Sequence, residues 1–347
     1  LEVTPVDGPS GEDADRDRLT ADVAAAARRL STATDVAVLG HVNPDADALG
    51  SALALAMGLR RRGCSARVSF GEPAELPRSL RGFDPEGLVV RPEDVPRVPE
   101  ALVVCDCDCP ERLGKLADRV SATAEAGGDV IVLDHHASNT SFGTLNVVDR
   151  GAEATVRLVL DLLDELGVEV DLPIARCLYA GLVTDTRSFR HASAQTHRVA
   201  ARLLEAGVDP AGTARQLMDA HPFRWLRMLS AVLAEAQLEP AAARGLGLVH
   251  ATVRLADSAG LSSEDLDGVI DLVRTAAEAE VAAVLKETAP RTWAVSLRAN
   301  SRLDVGRAAV ACGGGGHRLA SGFSATGSAE EVLQRLRAAL ETAPLLS

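Results

Sequence analysis

Three short apolar runs in the first 140 residues end alike, in an acid or an imidazole. Residues 36–40 (VAVLG) lead to His41, residues 101–105 (ALVVC) to Asp106, and residues 130–133 (VIVL) to Asp134, His135 and His136. Short apolar runs of this kind suit strands buried on both faces. After the first of them Leu49, Leu53 and Met57 recur at helical spacing. Strands alternating with helices imply a largely parallel sheet, whose functional side chains gather at the carboxyl ends of the strands. An acid and two imidazoles side by side at such an end are costly to desolvate unless a charge opposes them. A metal ion is the simplest such charge.

The pattern extends along the chain. Residues 20–30 read as an amphipathic helix and residues 66–70 as a second strand, followed by a Pro-rich connection over 72–99. Pro110 suits the first turn of a helix over 110–116. Residues 145–148 fit a fifth strand and 152–166 a long helix. Pro173 opens another helix, with Ile174, Cys177, Leu178 and Leu182 on one face, and it delivers Asp185; a further helix covers 194–206. Residues 210–238 read as helical and bridge to a second region. There strands are expected at 247–253, 281–286, 292–298 and 321–325, and helices at 264–278, 304–311 and 328–341. The run Gly313, Gly314, Gly315, Gly316, followed by His317, lies between a helix and a strand.

The expected fold is therefore α/β in two domains. Residues 1–17, acidic and Pro/Gly-bearing without the shape of a signal peptide, form a disordered tail. Residues 18–215 form a parallel-sheet domain, 216–238 a helical linker, and 239–347 a smaller mixed α/β domain. A chain of 347 residues is long enough for two such cores. Its net charge of −13 argues against tracking along long nucleic acid, which needs a basic stripe. A small phosphorylated substrate remains compatible, because divalent cations reverse the local field. Cys105, Cys107 and Cys109 alternate, and they read as small buried residues near a strand end, because zinc sites favour wider spacings. The cysteine usage points to a reducing cytoplasm without disulfides. No window reaches the ~18 apolar residues of a membrane span.

His41, Asp45 and Asp47 share one loop, and Asp106, His135 and Asp185 join them from further along, with Asp134 adjacent. Oxygen ligands with a few imidazoles and no thiolate favour Mn²⁺, Mg²⁺ or Co²⁺ over structural zinc. Six donors exceed one open site but suit two ions sharing a carboxylate, an arrangement that clamps a phosphoryl group. Taken singly, Asp45 or Asp47 reads as a helix cap. The glycine run is either a flexible loop or, with Arg298 and His317, a place where backbone N–H groups approach a phosphate.

At this point the sequence resembles the DHH phosphoesterase superfamily. The stretch from His41 to Ser51 (HVNPDADALGS) looks like its first motif and VVCDCD around Asp106 its second. DHH at 134–136 is its third, GLVTDT at Asp185–Thr186 its fourth, and GGGGH at 313–317 resembles the hallmark of the DHH-associated C-terminal domain. Within the superfamily the chain is most similar to the bacterial nano-RNase/pAp-phosphatase group. That resemblance implies two Mn²⁺: His41, Asp45 and Asp106 on one, and Asp47, Asp106, His135 and Asp185 on the other, with Asp106 bridging. It implies His136 at the substrate phosphate or leaving group, Asp134 orienting the cluster, and Arg298, Gly313–Gly316 and His317 holding the nucleotide or its terminal phosphate. Where the family has a glycine after Asp185–Thr186, this chain has Arg187, which adds a phosphate contact or narrows the site.

The activity so implied is hydrolysis of short oligonucleotides to mononucleotides, and of the nucleotide bisphosphate pAp to AMP and phosphate, in the cytoplasm and with no membrane partner. A cyclic di-AMP phosphodiesterase is the alternative within the superfamily. An inorganic pyrophosphatase would carry a basic signature in place of GGGGH, and a RecJ-type exonuclease an extra nucleic-acid-binding domain. A non-catalytic nucleotide sensor has little need of all six donors. A homodimer is compatible with all of these readings.

Overall fold

The apolar runs become parallel strands. In the computed structural model, which describes residues 11–73 and 75–346, the chain divides into two units between Asp219 and Ala220. The first unit contains α1 (Gly11–Thr32), β1 (Asp35–Gly40), α2 (Ala46–Arg61), β2 (Ser65–Phe70), β3 (Ala101–Cys105), α3 (Asp118–Glu125), β4 (Asp129–Asp134) and β5 (Leu145–Val148). It continues with α4 (Thr155–Glu165), α5 (Leu172–Asp185), α6 (Ala194–Glu205) and α7 (Pro210–Met218). The sheet order is β2-β1-β3-β4-β5 and every pairing is parallel.

Alternation along each strand splits the core into two layers. Val36, Val38, Val103, Cys105, Ile131 and Leu133 pack with α1, α2, α4 and α5 on one face. Ala37, Leu39, Leu102, Val104, Val130 and Val132 pack with Leu113, Leu116 and Val120 on the other. With both faces covered, the polar residues that end these strands gather along one sheet edge. The order reverses between β1 and β3, because β1 pairs β2 on one side and β3 on the other. Such a switch point opens a crevice beyond the carboxyl ends of the two strands, where His41 and Asp106 stand.

The second unit contains α8 (Phe223–Ala234), β6 (Gln237–Glu239), α9 (Ala242–Gly245), β7 (Leu248–Val253), α10 (Ser263–Asp267), α11 (Val269–Val273), β8 (Val281–Ala289) and β9 (Thr292–Ala299). It ends with α12 (Val305–Ala311), β10 (Gly315–His317), β11 (Ala320–Thr326) and α13 (Ala329–Thr342). The mixed sheet runs β10-β11-β9-β8-β7-β6, with only β7 and β8 parallel. Trp293, Val295, Leu297 and Ala299 of β9 face the core built with α12 and α13. Ala282 and Val284 of β8 pack on the other side with α8, α10 and α11.

Several expectations shift. Residues 11–17, expected in the tail, lie within α1; acidic residues ahead of an Ala-rich stretch suit a helix N-terminus. The remainder of that tail call, residues 1–10, lies outside the described residues. The bridge over 210–238 is two helices parted at His221–Pro222, since proline disfavours helical geometry in the residue before it. Its second helix belongs to the second unit. The helix over 264–278 is two five-residue helices meeting at Gly268 and ending at Val273. Part of the glycine run is strand, not loop: Gly315 and His317 pair with Gly322 and Ala320.

Candidate metal centre

Each donor reaches the crevice by a local device. His41 follows β1, and its Nδ1 lies 2.8 Å from Val42 O. That contact fixes the tautomer with Nδ1–H donating and turns Nε2 toward the acids. Nε2 lies 3.5 Å from Asp106 Oδ2 and 3.7 Å from Asp45 Oδ2. Asp45 is the N-cap of α2: its Oδ1 accepts from the N–H groups of Asp47 and Ala48, both at 3.0 Å. One oxygen caps the helix while the other faces His41.

Asp106 sits at φ 56, a left-handed conformation that Asp tolerates better than most residues. The chain hooks there, held by Asp106 N–H donating to Leu133 O at 2.9 Å. The hook presents both carboxylate oxygens. Oδ2 faces His41 and Oδ1 lies 3.6 Å from His135 Nε2. His135 is fixed in the same way as His41, with Nδ1 3.2 Å from Ala152 O, and its Nε2 is 3.5 Å from Asp185 Oδ2 at the end of α5. Asp47 is fully buried, and its oxygens accept from the Thr155 and Val156 N–H groups at 2.6 and 3.0 Å, the first turn of α4.

Donor atoms of His41, Asp45 and Asp106 lie within 4.8 Å of one another, as do those of Asp47, His135 and Asp185. A third such group, Asp106, His135 and His136, overlaps both. Carboxylates crowded this closely strain against ionisation. Burial, then the charges of Asp106 and Asp45, push the Asp47 carboxyl well above its usual range. Burial and the neighbouring carboxylates do the same to Asp185. Burial alone would lower His41, but hydrogen bonds to Asp106 and Asp45 carry it up to about 10. Burial would raise Asp106, yet the His41 hydrogen bond and the imidazole charges hold it far below the usual range. Divalent cations would compensate such a set: oxygen-rich, with two imidazoles each aimed through one defined nitrogen.

His136 and Asp134 form a tight pair, Nδ1 to Oδ1 at 2.5 Å, both buried. The pair raises the His136 imidazole against the effect of its burial. Asp134 also accepts from His135 N–H at 2.9 Å and from Asn139 Nδ2 at 2.6 Å. Asn139 was not foreseen from the sequence. Nor was Thr155, which is fully buried and whose Oγ1 donates to Asp106 Oδ1 at 2.9 Å. A single Thr or Asn beside a motif carries no periodic signal.

Arg187 follows the last donor at φ 50, and Ser188 and Phe189 share the left-handed region at φ 56 and 63. Glycine, which the resemblance implies at position 187, adopts such a conformation without strain. The remaining predicted site residues lie in the second unit. His317, Ala320 and Arg298 pair in register across β10, β11 and β9, so His317 and Arg298 share one sheet face with a small residue between them. The Gly313 and Gly314 N–H groups donate to Val310 O and Ala309 O, ending α12. These two amides are thus committed to the helix. Gly314 is also required sterically, since a Cβ there would lie 2.1 Å from Gly322 O.

The family model described as DHH family, N-terminal domain, matches residues 35–182, and that of the DHHA1 domain matches 245–343. A bifunctional oligoribonuclease and PAP phosphatase of Thermus thermophilus is 34% identical over 88% of this chain and 90% of its own length. The chain belongs to the DHH family. A probable bifunctional oligoribonuclease and PAP phosphatase of Streptococcus mutans is 24% identical over 86% of this chain and 92% of its own length. Among solved structures, an exopolyphosphatase-related protein from Bacteroides fragilis shares the fold, with a TM-score of 0.84 at 21% identity, covering 92% of this chain and 96% of that one. In this DHH protein no described helix is long and apolar enough to cross a membrane.

Proposed function

We propose that this DHH protein is a divalent-metal-dependent phosphoesterase that releases mononucleotides from short oligonucleotides and phosphate from pAp. One observation carries the reading: two donor groups meet at a single buried carboxylate, Asp106, whose oxygens face His41 on one side and His135 on the other. His41, Asp45 and Asp106 would hold one Mn²⁺ and Asp47, Asp106, His135 and Asp185 a second, with Mg²⁺ or Co²⁺ as substitutes. Ions so held would supply Lewis-acid charge at a phosphoryl group and would favour ionisation of water.

The protein groups then do the rest. Asp134 holds the His136 ring through Nδ1, which orients Nε2 to give its proton to the leaving oxygen as the P–O bond breaks. Arg298 and His317, on one face of the second sheet, would bind the nucleotide or its terminal phosphate. The near relatives named oligoribonuclease and PAP phosphatase support this substrate class over pyrophosphate or a sensor role.

Short substrates are favoured for want of a track for long ones. The net charge is −13, Trp293 and Tyr179 are buried, and among the described residues Phe223 is the one strongly exposed aromatic side chain. Single-strand binders instead stack bases, at about 1–3 kcal/mol each, over a basic groove. With Mn²⁺ and fixed salt, kcat/KM should peak for pAp and for oligomers of two to about four nucleotides, then fall steeply. Cyclic di-AMP and pyrophosphate complete the panel. Equal efficiency on a dimer and on a strand of about twenty nucleotides would overturn the length argument. No phosphoester hydrolysis at all would favour the sensor.

A further inference from the structure

Arg112 stands where three loops of the metal centre are tied together. Its carbonyl accepts from Val42 N–H at 2.8 Å, next to His41. Its Nη1 donates to Asp108 Oδ1 at 3.2 Å, two residues beyond Asp106. Asp108 Oδ2 in turn accepts from Ser138 Oγ at 2.6 Å, two residues beyond His136, and Asp108 O accepts from Thr140 N–H at 2.9 Å. The guanidinium is thus placed by the loops that carry His41, Asp106 and the two adjacent histidines. Among the described residues that bond to Asp108 is its one side-chain hydrogen bond, and the side chain is 37% exposed.

The charge balance gives this position a use. Two divalent cations would be matched by the four carboxylates of the two donor groups, Asp45, Asp47, Asp106 and Asp185. Asp134 and Asp108 add further negative charge beside them, so the ligand set offers an anionic substrate no net attraction. Arg112 feels the field of Asp106 and its charge is felt at His136. A guanidinium with one corner pinned to a carboxylate keeps a planar pair of donors for phosphate oxygens.

We propose that Arg112 is a phosphate-binding residue of this centre: braced by Asp108 and Ser138, it takes the non-bridging oxygens of the scissile phosphate. This rests on the phosphoesterase reading. Nothing covalent is asked of it, since it supplies charge and two hydrogen bonds to the group attacked by water.

The test compares wild type with Arg112→Lys, Arg112→Ala and Asp108→Asn, all Mn²⁺-loaded. Metal content, melting temperature and calorimetric binding of inorganic phosphate and of AMP are measured beside turnover of pAp. Arg112→Ala should keep its metal and bind phosphate about 10- to 100-fold more weakly, with kcat/KM reduced at least as far. Arg112→Lys should recover part of the binding, and Asp108→Asn should shift it in the same direction but less. Added guanidine should restore part of the Arg112→Ala turnover and none in Arg112→Lys. If Arg112→Ala does not fold, Arg112→Gln replaces it. Wild-type phosphate affinity in the variants, or loss of metal together with affinity, overturns the proposal; the second outcome would make Arg112 a brace of the metal loops. A wild type that binds phosphate through Arg112 yet hydrolyses no phosphoester would sink the functional reading and leave this one standing.

Discussion

Gly50→Ala should damage the proposed metal centre without touching any of its donors. Helix α2 carries Asp47 in its first turn and α5 carries Asp185 in its last, and the two helices cross in close contact at Gly50. A Cβ at position 50 would lie 2.4 Å from Cys177 O and 3.2 Å from Cys177 C, against an ordinary contact of 3.4 Å or more. The obstruction is backbone, so no side chain can rotate away. Relief requires the helices to part by about an ångström, and overpacking of this kind costs about 1–3 kcal/mol. The same displacement draws Asp47 off the Thr155 and Val156 N–H groups, now at 2.6 and 3.0 Å, and away from His135 and Asp185. We expect a lower melting temperature and a loss of about 10- to 100-fold in affinity for the ion proposed at Asp47. Calorimetric titration with Mn²⁺ and a thermal melt measure both. Gly268→Ala is the control, because a Cβ there meets nothing within 4 Å. A Gly50→Ala protein with wild-type melting and wild-type two-ion titration would refute the argument that this crossing sets the donor geometry.

Two further outcomes are expected. Arg187→Gly removes a left-handed strain (φ 50), so stability should rise by up to about 1 kcal/mol; a loss of that size in a denaturant melt would show that the side chain's contacts outweigh the strain. The metal-free protein should lose stability as pH climbs, since His41, raised to about 10, and the raised Asp47 and Asp185 bind protons more tightly folded than unfolded. Their contribution is complete below the unfolded values, near 4 for Asp and 6.5 for His, and fades above them. Asp106, depressed, acts only on the acid side of that window. Because an ion must displace these protons, the rise in melting temperature on adding Mn²⁺ should grow from about pH 5 to pH 9. A shift independent of pH would contradict it.

How much of this was legible in the sequence follows from the kind of signal each part leaves. Strand ends are legible because an apolar run that stops in His41, Asp106 or Asp134 marks both the strand and the polar edge at which it ends. Asp185 was legible through the helical spacing of Ile174, Cys177, Leu178 and Leu182, all buried in α5. The edge strand at Gly315–His317 was not, since glycine is depleted in strands and this one is held by pairing with β11. Arg112 and Thr155 escaped for a different reason. Their placement depends on partners more than sixty or about fifty residues away, Val42 and Asp106, and no local pattern records such a contact.

The sequence offers helix cap or metal donor at Asp45 and Asp47; the structure shows both at helix ends, and neither hydrogen-bonding role removes them from the proposed donor set. Asp45 caps α2 with Oδ1 and faces His41 with Oδ2. Asp47 anchors the first turn of α4, and Thr155 of that same turn holds Asp106. The positive end of α4 therefore faces the most buried acid of the cluster, which eases its charge. Each carboxylate oxygen keeps further lone-pair directions after accepting one N–H. Donor rotamers are in this way set by hydrogen bonds that belong to the fold itself. A site whose donors are already locked loses little conformational freedom when an ion arrives. The same bonds make the acids costly to alter: a substitution at Asp47 removes a proposed donor and the acceptor of the first two N–H groups of α4 at once, so its effects on metal affinity and on stability have to be measured in the same variant to be told apart.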